Sequence, residues 1–230
     1  MKNKLIYIIP AIIIVAASVA YFAIDPFSKE KSSSQNANTE SENGEQVENS
    51  GSNSQSEEPL EGNNGTGAKE NIPTAQTTNN IVTNSFEITP PPGWEGRPAP
   101  EGVLALAIKP GETMATNPEA SKIGFKSYFA ITRSDLQGKT REEYVNFIGE
   151  ELKKISSSVV LDTTWTTRVD GKDATVLDIS INQQNVDFKV SIFLVWNGED
   201  VWAISFNTTA DKWNEYKDAF FTAGSSFKLK

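Results

Sequence analysis

The sequence predicts an α+β domain in its C-terminal part, built on an antiparallel sheet and preceded by one transmembrane helix and a disordered linker. Three observations support this prediction. Strand-like segments separated by turn signals follow one another through residues 159–207, with no room for a helix between them. Helical patterns stand on either side of this stretch. A long uncharged segment near the N-terminus is followed by a polar one. We therefore expect residues 1–24 to be a membrane anchor, 25–83 a linker and 84–230 a globular domain.

Two glycine-containing dipeptides indicate hairpins in the strand-rich stretch. Asp170-Gly171 and Asn197-Gly198 each lie between apolar, β-branched segments. A type I′ turn needs positive φ at both central residues, which favours Asp-Gly and Asn-Gly. Residues 190–196 and 201–206 are almost continuously apolar, so we expect both faces of these strands to be covered, at the centre of the sheet. Residues 163–168 are mostly threonine, which predicts a strand nearer an edge.

The N-terminal segment 5–24 contains twenty uncharged residues after Lys2 and Lys4. At about 1.5 Å per residue it is long enough to cross a bilayer once. The basic flank places the N-terminus in the cytoplasm and the rest of the chain outside. A cleaved secretory signal ending near Ala20 is the alternative. We favour the anchor because apolar residues continue beyond that site to Ile24.

The linker, residues 25–83, is dominated by Ser, Asn, Gly, Glu and Gln. Such a segment cannot bury enough apolar surface to offset the entropy lost on ordering. It is predicted to be a disordered acidic tether with a root-mean-square span of about 40–45 Å. The chain carries a net charge of −9, much of it in this tether, so we expect no nucleic-acid partner.

The globular part opens with two structural signals. Residues 85–89 alternate like a strand and lead into Pro90-Pro-Pro-Gly-Trp94, from which Trp94 is expected to fold back onto the sheet. Residues 103–108 and 127–132 are predicted strands. The segment 109–124 between them is predicted to be a long loop, either facing a partner or forming a mobile surface excursion.

Two amphipathic helices are predicted. Thr140 and Glu143 fit a capping box, in front of an apolar stripe at helical spacing. A second helix begins after residue 208 or 209, and Gly224 is expected to end it in the left-handed conformation. The apolar stripe of the first helix is Tyr144, Ile148, Leu152 and Ile155, and that of the second is Trp213, Tyr216, Phe220 and Ala223. Residues 225–230 leave room for a short closing strand.

The order of these elements resembles the PsbP-like superfamily, which includes the PsbP subunits of photosystem II, the Ran-binding Mog proteins and bacterial DcrB-like envelope proteins. Residues 86–94, 168–174 and 210–229, the last ending in Ser226-Phe-Lys228, carry the resemblance. It covers residues 84–230. The resemblance implies an α/β/α sandwich with helices on both faces of the sheet, and a non-enzymatic binding or assembly role. Histidine-based metal contacts of plant members have no counterpart, because this chain has no histidine.

Candidate chemistry is sparse. The chain has no Cys and no His, which excludes thiol catalysis, disulfides and histidine general bases. Three nearby aspartates could be imagined as a calcium site, but they lack EF-hand spacing. Four helix glutamates are expected on a solvated face, and no serine lies in a nucleophile motif. We predict no catalytic, cofactor-binding or metal residues and no cofactor. The residues considered and set aside are the aspartates Asp170, Asp173 and Asp178, the helix glutamates Glu142, Glu143, Glu150 and Glu151, and the serines Ser157 and Ser226.

Two functions follow as hypotheses. The first is a membrane-anchored, extracytoplasmic, non-catalytic binding or assembly module whose partner is another protein of the bacterial envelope. The alternative is a domain that binds cell-wall polysaccharide through exposed aromatic rings such as Trp94 and Trp165, because indole faces pack on sugar rings. The exposure of Trp165 separates the two, since a buried indole cannot stack on a sugar.

The predicted topology can be checked by fractionation. If residues 5–24 anchor the chain, the full-length protein stays in the membrane fraction after an alkaline carbonate wash, and protease added outside the cell removes everything after Asp25. Release of a fragment beginning at Tyr21 into the medium would instead establish a cleaved signal.

Overall fold

The computed structural model describes residues 80–230. Within them, ten strands and three α-helices follow the chain, with a 3₁₀ turn at Ala210–Lys212 leading into the last helix. The helices are α1 (Pro118–Lys122), α2 (Arg141–Ile155) and α3 (Trp213–Ser225). The strands are β1 (Ile81–Val82), β2 (Phe86–Ile88), β3 (Glu95–Arg97), β4 (Ala105–Ile108), β5 (Tyr128–Asp135), β6 (Val160–Val169), β7 (Lys172–Gln183), β8 (Val186–Asn197), β9 (Asp200–Thr209) and β10 (Lys228–Leu229).

The main sheet has seven antiparallel strands in the order β3-β4-β5-β9-β8-β7-β6. Strand β9 is its middle strand and β8 lies beside it, so the prediction of a central β8–β9 hairpin is confirmed. The threonine-rich strand β6 forms an edge, also as predicted. A second, three-stranded sheet has the order β1-β2-β10.

The main sheet is covered on both faces. Alternate residues of the same strands enter two separate clusters: Tyr128 and Ala130 of β5 join one, and Phe129 and Ile131 join the other. Helix α2 packs on the first side, which we call the α2 face. Helix α3 and the small sheet pack on the second, the α3 face. The prediction of an antiparallel sheet with helices on its faces is confirmed within residues 80–230.

The turns between the long strands agree with the sequence at one place and differ at another. Asp170 and Gly171 have φ of 53° and 70°, as a type I′ turn requires. The prediction for Asn197-Gly198 was wrong by one residue. Asn197 still pairs with Asp200, so the turn is Gly198-Glu199. Only the first of these two residues has a positive φ, 64°, which is the pattern of a type II′ turn.

A third hairpin, between β7 and β8, has no glycine and was not predicted. Its turn residues Gln184 and Asn185 have φ of 52° and 61°. Both adopt the left-handed conformation, which asparagine tolerates better than most residues. The ten-residue ladder between the flanking strands holds this turn in place.

Helix α2 begins as predicted. The Thr140 hydroxyl accepts a hydrogen bond from the Glu143 amide at 3.2 Å, and the Glu143 carboxylate accepts one from the Thr140 amide at 2.8 Å. These bonds satisfy two amides that the first turn of a helix leaves free, and they lower the pKa of Glu143. Tyr144, Ile148 and Leu152 are buried on the α2 face.

The 109–124 segment has more regular structure than the loop that was predicted. It contains helix α1, whose first turn is capped by Asn117: its side-chain oxygen accepts a hydrogen bond from the Ala120 amide at 3.1 Å. Met114 and Ala120 are buried in the α2-face cluster. The segment therefore contains a short helix and packs on the domain.

Trp94 folds back onto the sheet as predicted, with 7% of its surface exposed, and stacks on Phe129 with ring centres 6.2 Å apart. Strands β1 and β3 were not predicted, and β1 falls within the range assigned to the linker.

Within residues 80–230 no helix has the length and hydropathy to span a membrane. The predicted anchor, 5–24, and most of the linker lie outside the described residues.

Gly224 does not end helix α3 in the left-handed conformation, so that prediction was wrong. It lies inside the helix, which continues to Ser225, and its φ is not positive. A methyl group at this position would lie 2.7 Å from ring carbons of Phe193. Glycine is required because the helix sits directly on the Phe193 ring, which also contacts Phe206 and Phe221.

Two helical glycines are therefore expected to respond oppositely to alanine. Gly224→Ala should lower the free energy of unfolding by about 1–2 kcal/mol, because the added methyl overpacks the Phe193 ring. Gly149→Ala in α2, where a methyl group would meet nothing within 4 Å, should raise it by up to about 1 kcal/mol through helix propensity. Urea denaturation of both variants checks this. A Gly224→Ala midpoint at or above the wild-type value would contradict the packing argument.

Candidate functional site

A groove of about 670 Å³ lies between helix α2 and the edge strand β6. In the β6–β7 ladder Thr164 is opposite Leu177, a member of the α2-face cluster. Because strand residues alternate between faces, Thr164, Thr166 and Arg168 all lie on the α2 face. They form one wall of the groove, and the first turns of α2 form the other. We call this site the α2–β6 groove.

Arg141 is the best-fixed side chain of the groove. Its guanidinium donates a hydrogen bond of 2.8 Å to Asp173 of β7 and lies 5.8 Å from the ring centre of the buried Trp196. The indole N–H in turn donates to the Thr175 hydroxyl at 3.1 Å. The hydrogen bond from Arg141, with its charge, lowers the pKa of Asp173. One wall is thus preorganised by a cation–π contact and an ion pair.

Arg168 is the least neutralised cation of the groove. Its Nε lies 3.8 Å from Asp173, and 76% of its side chain is exposed. Asp173 already binds Arg141 at the shorter distance. One carboxylate thus serves two guanidiniums, and an exposed pair at 3.8 Å contributes little. Glu142, also on the groove, is the other acid there. Arg168 remains able to bind an incoming anionic group.

The three aspartates weighed as a calcium site do not converge. Asp170 is a turn residue whose carboxylate accepts a hydrogen bond from the Leu229 amide at 3.1 Å. Asp173 and Asp178 are five residues apart on one strand, so they lie on opposite faces of the sheet. Among residues 80–230 there is no group of three or more metal-ligating side chains.

A polar cluster occupies the α3 face near the start of β6. Asp162 accepts hydrogen bonds from Ser180 at 2.7 Å and from Lys189 at 2.9 Å. Asp178 is half-buried beside them and accepts from Thr163 at 3.1 Å. Burial raises the pKa of Asp178, and one of its carboxylate oxygens is buried without a partner.

One buried acid, Glu112, was not singled out by sequence. It lies in the 109–124 segment with 7% of its surface exposed. Its carboxylate accepts hydrogen bonds from the Ser127 amide at 2.5 Å, the Ser127 hydroxyl at 3.0 Å and the Tyr216 hydroxyl at 2.8 Å. These bonds tie the segment to the residue that precedes β5 and to α3. No sequence signal marked this residue, because an acid in a Gly- and Pro-containing segment is ordinarily exposed.

The helix glutamates lie where the sequence placed them. Glu143 completes the α2 cap, Glu150 pairs with Lys153 at 3.0 Å and Glu151 pairs with Lys154. These are exposed i,i+3 pairs of small energetic value. Ser226 is engaged at the end of α3, where its hydroxyl accepts a hydrogen bond from the Thr89 amide at 2.9 Å.

The aromatic rings proposed for sugar stacking are mostly covered. Trp94 is enclosed by Phe129, Tyr216 and Phe220, so it cannot offer a face to a sugar. Trp165 is partly buried and packs against the α3-face cluster. The alternative hypothesis of sugar stacking was therefore wrong for Trp94, whereas Trp165 keeps part of its surface.

Glu112 should contribute to stability through its hydrogen bonds. Glu112→Gln should lower the free energy of unfolding by about 1–3 kcal/mol, since the amide nitrogen cannot accept from a buried donor. Glu119→Gln in α1 is the matched control, because Glu119 makes only an exposed pair with Lys122 and should change stability by about 0.5 kcal/mol or less. Urea denaturation checks both variants. Equal effects would show that burial of Glu112 carries no special weight.

The same contact predicts a loss of stability at alkaline pH. Burial and the hydrogen bond to Glu112 raise the pKa of Tyr216 above its ordinary value of 10.0. Because the folded-state pKa is the higher one, the stabilisation is complete below about pH 10 and is lost as pH rises further. Unfolding free energies measured from pH 8 to 11 should fall above pH 10, and less steeply in Tyr216→Phe. A flat profile in the native protein would contradict this.

Comparisons with known proteins give likenesses of structure. No protein-family model matches the chain, and no curated protein sequence matches it. The solution structure of cyanobacterial PsbP from Synechocystis sp. PCC 6803 is 15% identical with a TM-score of 0.48, and the match covers 72% of this chain and 99% of that one. LpqN of Mycobacterium tuberculosis, described as involved in cell envelope biogenesis, is 12% identical with a TM-score of 0.47, covering 63% and 83%. Both likenesses are at low sequence identity.

Proposed function

We propose that this protein is a non-catalytic binding or assembly module of the cell envelope, and that its α2–β6 groove binds another envelope protein. Residues 1–24 anchor it, the residues from 25 up to the start of β1 at Ile81 are the tether, and the domain that follows is displayed outside the membrane. The groove carries the proposal: an arginine fixed by an ion pair and an aromatic ring lies opposite an edge strand with an exposed, poorly neutralised arginine.

The topology rests on the sequence. The twenty uncharged residues 5–24 follow two lysines, and the tether that comes after them is too polar to fold on its own. A tether of this length holds the domain near the bilayer and leaves it free to reach a partner within about 40–45 Å.

Binding is favoured over catalysis because the acidic side chains are already engaged in structural hydrogen bonds and ion pairs. The Glu112 carboxylate already accepts three hydrogen bonds from Ser127 and Tyr216, and Asp173 is held by Arg141. A hydrolase without histidine or cysteine needs two carboxylates with separated pKa values facing one cleft. The groove instead has two arginines and four threonines near its two acids, which suits recognition of a polar, extended ligand.

Site-specific photo-crosslinking in native membranes tests this proposal. A benzophenone amino acid at position 164, on the groove wall, should give a discrete crosslinked protein. The same amino acid at position 221, an exposed phenylalanine of α3, is the control and should not. Identical products from both positions, or none from position 164, would contradict a groove partner. A product from position 164 that is sensitive to muramidase would favour cell-wall polysaccharide.

A further inference from the structure

Among residues 80–230 no strand pairs with the outer edge of β6, and we infer that this edge binds an extended, acidic peptide segment of the partner as an eighth strand of the main sheet. This inference rests on the proposed function and specifies the kind of partner. Strand addition to a sheet edge uses main-chain hydrogen bonds for affinity and alternate side-chain contacts for specificity. Both are available at this edge.

The free backbone groups of β6 can be assigned from its hairpin. Val169 and Lys172 are opposite each other across a two-residue turn, and such a closing pair is doubly hydrogen-bonded. Bonded and unbonded pairs alternate along an antiparallel ladder. Counting back from Val169, every second residue bonds to β7, and the others direct their amide and carbonyl away from the sheet. These outward residues are Thr164, Thr166 and Arg168.

The two edges of the main sheet differ in how they are protected. The edge strand β3 has three residues, of which Glu95 and Arg97 pair with each other at 3.4 Å. Strand β6 has ten residues, and positions 163–167 are Thr-Thr-Trp-Thr-Thr. These are strong strand formers without the lysine or proline that commonly blocks an edge. The irregularity at Asp162 interrupts the ladder only at its far end.

The outward residues are the same ones whose side chains line the groove. A strand hydrogen-bonded to Thr164, Thr166 and Arg168 would therefore direct every second side chain toward the α2 face, into the groove. The neighbouring hydroxyls suit small or β-branched polar side chains. At the hairpin end, the ligand side chain would lie opposite Arg168.

Charge selects an acidic residue at that position. Arg168 is 76% exposed, and its Asp173 contact is shared with Arg141. Glu142 is on the helix side of the groove, across from Arg168. A carboxylate opposite Arg168 would give this arginine a partner of its own, whereas a lysine there would be repelled.

A second copy of the chain fits this edge less well. Pairing centred on Trp165 would bring Asp162 of the second copy opposite Arg168. Asp162, however, directs its carboxylate to the α3 face, where Ser180 and Lys189 bind it, while Arg168 lies on the α2 face. Pairing centred on Thr166 would place Thr164 opposite Arg168. Both arrangements leave Arg168 without a counter-charge.

Selection of random twelve-residue peptides displayed on phage tests the inference, with the full-length chain in detergent micelles as the target. Enriched peptides should carry Asp or Glu with β-branched residues at alternate positions. Their affinity should fall about tenfold or more for Arg168→Glu. Selection against Arg168→Glu should instead enrich Lys or Arg at that position.

A proline variant isolates the backbone contribution. Thr166→Pro removes an outward amide and leaves the bonds to β7 in place, so it should abolish peptide binding without lowering the melting temperature. Thr166→Ser is the matched control and should bind normally. Peptides that bind Thr166→Pro as well as the native chain, or a selection that enriches no peptide, would overturn strand addition. Strand addition by a partner would also be overturned if analytical ultracentrifugation showed the chain to be a dimer that Thr166→Pro disrupts.

The two proposals fail separately. If position 164 still crosslinks to an envelope protein in a Thr166→Pro background, the groove binds a partner by another mode, so the proposed function stands and strand addition is wrong. If peptides bind as expected but position 164 gives no crosslink in native membranes, the edge is competent for strand addition while the envelope role is wrong.

Discussion

The burial of strands β8 and β9 on both of their faces is the constraint on which the rest of the domain depends. Phe193, Ile204 and Phe206 face α3, while Ile192, Leu194 and Ala203 face α2. Each fully buried large side chain is worth about 1.5–3 kcal/mol, but only if both layers exclude water. Neither helix is therefore dispensable. Helix α3 packs so closely on the Phe193 ring that position 224 must be glycine, and this close packing follows from the same requirement.

The sequence contained the layout of the sheet but not its finer packing. A strand that is buried on both faces is apolar at almost every position, whereas a strand near an edge keeps polar residues such as threonine. This difference distinguished the central strands from the edge strand. The turn at Asn197-Gly198 was predicted one residue too early. Gly198 can supply the positive φ of the second central residue of a type I′ turn or of the first central residue of a type II′ turn, and the sequence does not separate the two. Gly224 stood where a helix cap is common. Its true neighbour, Phe193, is more than thirty residues away in sequence and appears only when the layers are assembled.

The groove was less predictable than the fold, for a similar reason. Arg141 and Asp173 are 32 residues apart, and each alone has an ordinary explanation, as the first residue of a helix and as a residue beside a turn. Their meeting depends on where α2 crosses the sheet. The calcium hypothesis, by contrast, could have been removed from the sequence alone, because an odd spacing along one strand puts Asp173 and Asp178 on opposite faces. Burial of Glu112 depends on Ser127 and Tyr216 and has no local signature.

The described chain begins and ends on the same side of the main sheet. Ile81 of β1 and Leu229 of β10 both pack against the α3-face cluster, and both strands pair with β2. The groove lies on the α2 face, on the other side of the sheet. A reporter, affinity tag or immobilisation linker joined after Lys230 would therefore start on the surface opposite the groove, so the C-terminus is the natural point of attachment for sensors and affinity columns built from this domain.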